Sequence, residues 1–405
     1  DGKRLLGDLR KLAEFGSYKT GVHRPTYSTE DMAARHWLAE RMKAAGLDVV
    51  IDGVGNVLGR GRSKRKRLLM GSHAETQPHA GWLDGAMGIV YGIEVARAFA
   101  EDPACAGLGV DVAAWADEES HYLSFLGSRS FCGEVSDAEL DQAKNRDDGT
   151  PLRTALERAG LAGRPIERMD PAQYAGYLEG HVEQGDYLDA GKLRIGIVTG
   201  IVGIRQFRLS FAGQQNHAGT TRMAIRKDAG VALIRLCNAI DQRFPAVAGE
   251  RSVWTTGRIL LDPGAPSIVP GAAEMMFQFR DADPERLDLL EKTLEELVAE
   301  SNRRGPCACR LEMISRTPPK LMDAGFQDAL EAAAKRHAPN LFMRMPSAAG
   351  HDAQVLGRKL PAGMLFVPSI GGISHHYAEN TADDDIVLGC QIFADGAYRI
   401  LSAAA

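Results

Sequence analysis

Two neighbouring stretches decide the fold: Leu68-Leu69-Met70-Gly71-Ser72-His73-Ala74-Glu75-Thr76 and Asp84-Gly85-Ala86-Met87-Gly88-Ile89-Val90-Tyr91-Gly92-Ile93. The short apolar run at 68–70 predicts a buried strand. The stretch from Asp84 predicts the start of a helix that reaches residue 100. A histidine leaving a strand and an aspartate near a helix N-terminus can point at one spot. Imidazole and carboxylate are the ligands from which a zinc site is made.

Toward the N-terminus, Ser28-Thr29-Glu30-Asp31 reads as a helix cap with an acidic first turn. Ala34, Leu38, Met42 and Ala45 form one helical stripe that ends at Gly46. Strands are expected at 49–51 and 56–58 around the turn signal Asp52-Gly53. Toward the C-terminus, 110–116 reads as a strand ending in three carboxylates, Asp117-Glu118-Glu119. Residues 135–172 are polar, helical in pattern and peripheral. Tyr177-Leu178-Glu179-Gly180-His181-Val182-Glu183-Gln184-Gly185 again places His and Glu after a short apolar run. Alternation of strand and helix implies an α/β layer with a mixed, largely parallel sheet.

The texture changes near Gly203. Strands are expected at 205–211, 251–259, 273–279 and 308–314, and amphipathic helices at 228–244 and 285–301. Leu287, Leu290, Leu294 and Leu297 mark the core face of the second helix. This predicts an α+β unit at 203–316 inserted into a domain made of 1–202 and 317–405. The last two histidine clusters, Gly350-His351-Asp352 and Ser374-His375-His376, fall in the returning segment.

Composition limits the function classes. The 405 residues are 44% apolar, enough for large cores, and the net charge of -5 argues against nucleic-acid binding. The basic run Arg60, Arg62, Lys64, Arg65, Lys66, Arg67 reads as a solvated turn before a strand. Six cysteines (Cys105, Cys132, Cys237, Cys307, Cys309, Cys390) lack a disulfide spacing, which suits free thiols in a reducing compartment. No long uninterrupted apolar run and no signal-peptide pattern is seen, so the expectation is a cytoplasmic protein without a membrane span.

Taken singly, each cluster says little, because a lone histidine is more often structural than a ligand. Together, His73, Asp84, Glu119, His181 and His375 are hard or borderline ligands at the predicted ends of elements. A pair of zinc ions needs about this set: terminal ligands for each and one carboxylate with two oxygens to bridge them. Glu118 is the candidate general base. Adjacent to Glu119 on a strand end, it would point the opposite way, toward substrate.

These motifs, with Gly21-Val22-His23-Arg24, Tyr27-Ser28-Thr29-Glu30-Asp31, Asn216-His217-Ala218-Gly219-Thr220-Thr221 and Ser374-His375-His376-Tyr377-Ala378-Glu379, cover nearly the whole chain. In that order they resemble the amidase, hydantoinase/carbamoylase family of dizinc hydrolases. That group includes N-carbamoyl-L-amino-acid hydrolase, allantoate amidohydrolase and β-ureidopropionase. The resemblance implies a dizinc-peptidase-like catalytic domain with an inserted lid and dimerisation domain. It implies that His73 and His181 hold one metal, that Asp84 bridges, and that Glu119 and His375 hold the second. The metals would be zinc, with manganese, cobalt or nickel as alternatives. Glu118 would be the base, and His217 would stabilise the scissile carbonyl oxygen, often across a dimer. Gln184, Asn216, Ser267 and Arg280 would touch a small carboxylate-bearing substrate, with the arginine fork on the carboxylate. A homodimer through the lid domain is expected, with neither nucleic acid nor membrane as partner.

The departures cluster around the expected pocket. Glu75 stands where the family usually has Asp, two residues after the first metal histidine, and is one methylene longer. Ser267 stands where an Asn usually meets substrate, Arg222 replaces a usual Pro, and Ser120-His121-Tyr122-Leu123 replaces a usual Gly-Ser-Arg-Phe. The expectation is retained metal hydrolysis of an N-carbamoyl, ureido or N-acyl C–N bond with altered specificity. The rivals are a dipeptidase, an N-acyl amino-acid deacylase, a hydrolytic deaminase of the same fold, and a non-catalytic binding protein. His121 is expected to be packed or solvent-facing rather than to contact substrate, and His351 to be structural or to support the ligands. His79 and Trp82 are expected to line the pocket, and His23, His36 and His337 to lie on the surface.

Overall fold

A computed structural model describes residues 1–404. Among the described residues two compact units emerge: 1–199, 321–345 and 349–404 form the first, and 200–320 with 346–348 form the second.

The first unit is built on a nine-stranded mixed sheet. Its centre is four parallel strands in the order Ala362–Val367, Tyr174–Val182, Arg67–His73 and Gly109–Trp115. Val57–Arg60 and Asp48–Ile51 extend one flank antiparallel. The central strands are buried on both faces, which explains why they read as apolar runs rather than alternating ones. Helix Thr29–Ala44 starts where Ser28 accepts a hydrogen bond from the Asp31 amide, and it buries Ala34, Leu38 and Met42. Helix Ala86–Glu101 lies among the core residues, with Met87, Ile89, Val90, Tyr91 and Ile93 all inaccessible to solvent. The segment expected to be peripheral forms two short helices, Asp137–Gln142 and Leu152–Arg158, with a small core of their own around Leu140, Leu152 and Leu156.

One helix, Asp383–Ala403, is long and apolar enough to cross a membrane by length and composition. It opens on three aspartates, and its apolar face (Ile386, Ile392, Phe393, Ala397, Ile400) is spent in the core. The sequence hides this helix from a run-length test because Gln391, Asp395 and Arg399 interrupt it. Three members of the basic run are paired: Arg62 with Asp48 at 3.0 Å, Arg67 with Asp111 at 2.8 Å, and Arg60 with Glu167. All six cysteines are free thiols.

The second unit is a four-stranded antiparallel sheet in the order Val253–Asp262, Ala272–Asp281, Gly203–Ala212, Ala308–Thr317. Phe207, Leu209, Phe211, Met275, Phe277 and Phe279 form one apolar face of the two middle strands. Helices Ala229–Arg243 and Pro284–Arg304 cover it with Leu233, Leu236, Leu287, Leu290 and Leu294.

Gly71 shows how tightly the central strands fit. A Cβ there would stand 1.9 Å from the Ala113 carbonyl oxygen on the neighbouring strand. Backbone cannot yield as a side chain can, so Gly71→Ala should cost about 3 kcal/mol. The loss should appear as a lower thermal midpoint, and an unchanged midpoint would contradict this packing.

Candidate metal centre

The four parallel strands bring the chemistry to one edge. His73 ends its strand, and His181 is one residue from the end of the strand beside it. Glu118 and Glu119 follow Gly109–Trp115 on the other side, and His375 follows Ala362–Val367. This is the carboxyl edge of a parallel sheet, where side chains from several loops converge. Asp84 arrives from the loop after His73, just before helix Ala86–Glu101, whose N-terminus carries a partial positive charge.

The five side chains meet. Asp84 Oδ1 lies 3.4 Å from His73 Nε2 and 3.1 Å from His181 Nε2. Asp84 Oδ2 lies 3.3 Å from His375 Nε2, which is 3.6 Å from Glu119 Oε1. Three overlapping groups have ligand atoms within 4.8 Å of one another: His73, Asp84 and His181; His73, Glu118 and Glu119; Asp84, Glu119 and His375. Gln184 joins them, its Nε2 3.1 Å from Asp84 Oδ2 and 3.3 Å from His375 Nε2.

Main-chain carbonyls set the tautomers. His73 Nδ1 faces the Glu75 carbonyl at 3.0 Å, and His181 Nδ1 faces the Val182 carbonyl at 2.9 Å. A carbonyl only accepts, so each Nδ1 carries the hydrogen and each Nε2 lone pair is turned toward Asp84. Lone pairs facing a buried carboxylate demand positive charge between them. Asp84 Oδ1 and Glu119 Oε1 are buried and have no hydrogen-bond donor. This donor set fits divalent cations. The same demand raises the proton affinity of the imidazoles. His375 is pushed up to about 9, chiefly by its hydrogen bond to Asp84. Burial is the main force holding Glu118 well above the usual carboxylate range, with Glu119 adding to it.

Glu118 and Glu119 do not sit on the strand and do not point opposite ways. The strand stops at Trp115, and the pair lies in a turn flanked by positive φ at Asp117 (56°) and Ser120 (60°). Both carboxylates converge on His73. Asp117, the third carboxylate of the run, is structural and accepts the amides of His121, Tyr122 and Leu123. His121 is packed, with Nδ1 3.0 Å from the Thr26 hydroxyl. His351 is buried edge-on against His181, ring centroids 4.5 Å apart, so it supports a member of the cluster. His79 stacks on Tyr18, and Trp82 bonds Asn380. His36 is exposed. His23 is half-buried and packs against His79, and His337 is half-buried, 3.0 Å from Asp395.

Glu379, Gln77 and Arg146, which support the cluster, escaped the sequence reading, whereas Glu75 did not. Glu379 Oε1 accepts the Asp84 amide at 3.1 Å, and its Oε2 accepts the Ser374 hydroxyl at 2.8 Å. Gln77 Nε2 donates to Glu119 Oε2 at 2.6 Å and is itself held by Arg146. Glu75 leaves the His73 ring to its own main-chain carbonyl. Its carboxylate instead pairs with Arg35 at 2.9 Å, and Arg35 pairs with Asp31 at 2.9 Å, all three inaccessible to solvent. The only sequence signal for Glu379 was its place five residues after Ser374 in a shared motif.

Asn216, His217, Ser267 and Arg280 all belong to the second unit. A short ladder pairs Asn216 with Val269 and His217 with Ile268, while the Ala218 amide donates to the Ser267 carbonyl at 2.9 Å. His217 Nδ1 accepts the amides of Gly219 (3.0 Å) and Thr220 (3.1 Å). Its neutral ring therefore presents Nε2–H as a donor. Arg280 Nη1 bonds the Ala348 carbonyl at 3.1 Å, and burial lowers its proton affinity.

Comparison with known proteins adds independent findings. The profile of peptidase family M20/M25/M40 matches residues 69–399. An N-carbamoyl-L-amino-acid amidohydrolase of Paenarthrobacter aurescens is 32% identical over 400 residues, covering 96% of each chain. An allantoate amidohydrolase of Bacillus subtilis is 31% identical, covering 96% of this chain and 95% of its own. The crystal structure of an amidase (hydantoinase/carbamoylase family) from Burkholderia phymatum superposes with a TM-score of 0.95 at 50% identity, covering 100% and 98%.

The Asp31–Arg35–Glu75 triad makes a pH-dependent prediction. Removing one partner of a buried ion pair leaves charge uncompensated, so Arg35→Met should cost about 3–5 kcal/mol at neutral pH. Burial already raises Asp31 despite Arg35. A carboxyl raised above its unfolded value takes up a proton on folding, so its penalty grows as pH rises through that interval. The deficit of Arg35→Met against the unchanged protein should therefore shrink between neutral pH and a second, more acidic pH, as Asp31 takes up its proton. Urea midpoints at the two pH values measure this, and equal deficits would refute it.

Proposed function

Because the chain belongs to peptidase family M20/M25/M40, in its hydantoinase/carbamoylase amidase branch, we propose that it is a metal-dependent amidohydrolase. It cleaves a non-peptide C–N bond in a small carboxylate-bearing ureido compound. The observation that carries this reading is the division of Asp84. One oxygen faces the lone pairs of His73 and His181, and the other faces His375 beside Glu119. We assign His73 and His181 to one ion, Glu119 and His375 to a second, and Asp84 to both.

When bound, a pair of divalent ions (zinc first, then manganese, cobalt or nickel) supplies charge that polarises a carbonyl and acidifies a water. Glu118 takes the proton from the attacking water and hands it to the leaving nitrogen. Its burial suits this role, since it raises the carboxylate's affinity for a proton. Gln184 bridges Asp84 and His375 through its amide and holds the carboxylate's second oxygen in place. His217 offers a fixed Nε2–H to a developing oxyanion. Arg280 offers a planar fork for a substrate carboxylate. The ureido class is favoured because the relatives named for N-carbamoyl amino acids and for allantoate match across nearly their whole length.

The test is a panel of N-carbamoyl, N-acetyl and N-glycyl versions of one amino acid, with allantoate added. Turnover should be highest on the N-carbamoyl compounds or allantoate, should be lost to chelator, and should return with Zn²⁺, Mn²⁺ or Co²⁺. Glu118→Ala should keep its metal yet lose about 10²–10⁴-fold in kcat. Preference for the acetyl or glycyl compounds would replace this reading with a deacylase or dipeptidase. Near-normal turnover by Glu118→Ala would remove the base assignment.

A homodimer is also proposed, through the edge strand Val253–Asp262 of the second unit. Consecutive Ile259, Leu260 and Leu261 are all exposed, at 49%, 44% and 41%, whereas a strand with one covered face alternates. Light scattering should give twice the chain mass, and Leu260→Lys should halve it. A monomeric mass for the unchanged protein would overturn the proposal.

A further inference from the structure

We propose that Glu75 is a positioning residue whose carboxylate, anchored by the buried Arg35, grips the backbone amide of Glu118 and so aims the general base. The inference rests on the role given to Glu118 above.

The contacts divide cleanly between the two oxygens. Glu75 Oε2 is paired with Arg35 Nη2 at 2.9 Å. Oε1 accepts the Glu118 amide at 2.7 Å, with the Glu119 amide farther off at 3.4 Å. It stands 3.9 Å from His73 Nδ1, beyond a hydrogen bond, and that ring nitrogen is engaged by the Glu75 main-chain carbonyl at 3.0 Å. The carboxylate therefore acts on the base's backbone rather than on the imidazole.

The anchor is rigid. Arg35 Nε bonds Asp31 Oδ2 at 2.9 Å, and its Nη1 reaches the carbonyls of Gly55 (2.9 Å) and Trp115 (3.1 Å). Asp31 Oδ2 also accepts the Tyr27 amide at 2.8 Å. These links are charge-assisted and buried, so they hold direction as well as distance. The turn that carries Glu118 needs such a hold. Asp117 and Ser120 lie on either side of the glutamates with left-handed φ of 56° and 60°. Side chains rarely adopt that conformation unless outside contacts fix it. The Asp117 carboxylate secures the downstream amides of His121, Tyr122 and Leu123, and Glu75 secures the Glu118 amide. Length matters here. An aspartate would fall short by about 1.5 Å, one C–C bond, and lose the amide.

The experiment compares Glu75→Asp, which keeps charge and shortens reach, with Glu75→Gln, which keeps reach and removes charge. Amide hydrogen exchange across 117–120, read by mass spectrometry, needs neither substrate nor metal. It should be about tenfold faster in Glu75→Asp and closer to the unchanged protein in Glu75→Gln. Zn²⁺ content and affinity should stay within about threefold in Glu75→Asp, while kcat on the best substrate of the panel falls about 10–100-fold and KM holds. Combined with Glu118→Gln, Glu75→Asp should cost little further kcat, because both changes remove one function. If Glu75→Asp does not fold, the exchange measurement on Glu75→Gln carries the test, and rates across 117–120 about tenfold above the unchanged protein there would overturn the proposal. Unchanged exchange, zinc loss that tracks the rate loss, or losses that multiply in the double variant would each overturn the proposal. A Glu118→Gln variant with near-normal rate fails differently, by removing the base reading on which the proposal stands.

Discussion

The structure turns on one carboxylate that faces two sets of imidazoles at once. Asp84 can do so only if its main chain is held where a helix begins and a strand has just ended. Its own amide is tied to Glu379, and the next amide, from Gly85, points at His181 Nε2 at 3.3 Å. Gly85 itself has φ of 67°, and a Cβ on it would press within 2.5 Å of the His73 ring. No side chain fits between the aspartate and the histidine it faces. The strand order does the rest, because His73 and His181 leave adjacent parallel strands at nearly the same level.

Two buried acidic clusters in the first unit meet the cost of their charge in different ways. Beneath the site, Asp31 and Glu75 share an arginine supplied by the chain, with the carbonyls of Gly55 and Trp115 completing its set of partners. Around Asp84 the chain supplies carboxylates and imidazoles and no arginine or lysine within ion-pair distance of Asp84 or Glu119 among the described residues. Burial accordingly pushes Glu379 up to about 7, with Asp84 adding to it. A cluster of carboxylates and imidazole lone pairs, met by the Gln184 and Gln77 amides as side-chain donors and by no built-in cation, is suited to positive charge from outside. That difference separates a ligand site from an internal ion-pair network, although both consist of buried acids.

Periodicity made most of the scaffold legible. Ala34, Leu38 and Met42, and later Leu287, Leu290, Leu294 and Leu297, repeat at helical spacing because each helix has a single core to face. His73 and Glu119 were legible as residues following apolar strands. The turn at 117–120 was not, because Ala-Asp-Glu-Glu-Ser contains no glycine to signal left-handed backbone, yet two of its residues adopt it. Glu379, Gln77 and Arg146 act through distances of 2.6–3.1 Å between loops far apart in sequence, and local pattern carries no trace of these. Glu75 was visible as an extra methylene. Only coordinates reveal that the added reach goes to an amide.

In the second unit, side chains can vary at small cost to the backbone. Asn216 and His217 are held by main-chain pairing to Val269 and Ile268, and the Ser267 carbonyl receives the Ala218 amide. None of these bonds uses the Ser267 side chain, which is exposed. A carboxamide at that position would leave the ladder intact and add a donor and an acceptor; a hydroxyl offers a shorter reach. Its core, moreover, is built of phenylalanines and leucines that form no part of the cluster around the central sheet. Side chains carried on such a ladder can change without disturbing the packing that holds Asp84, so a varied ladder and an intact Asp84 cluster are physically compatible in one chain.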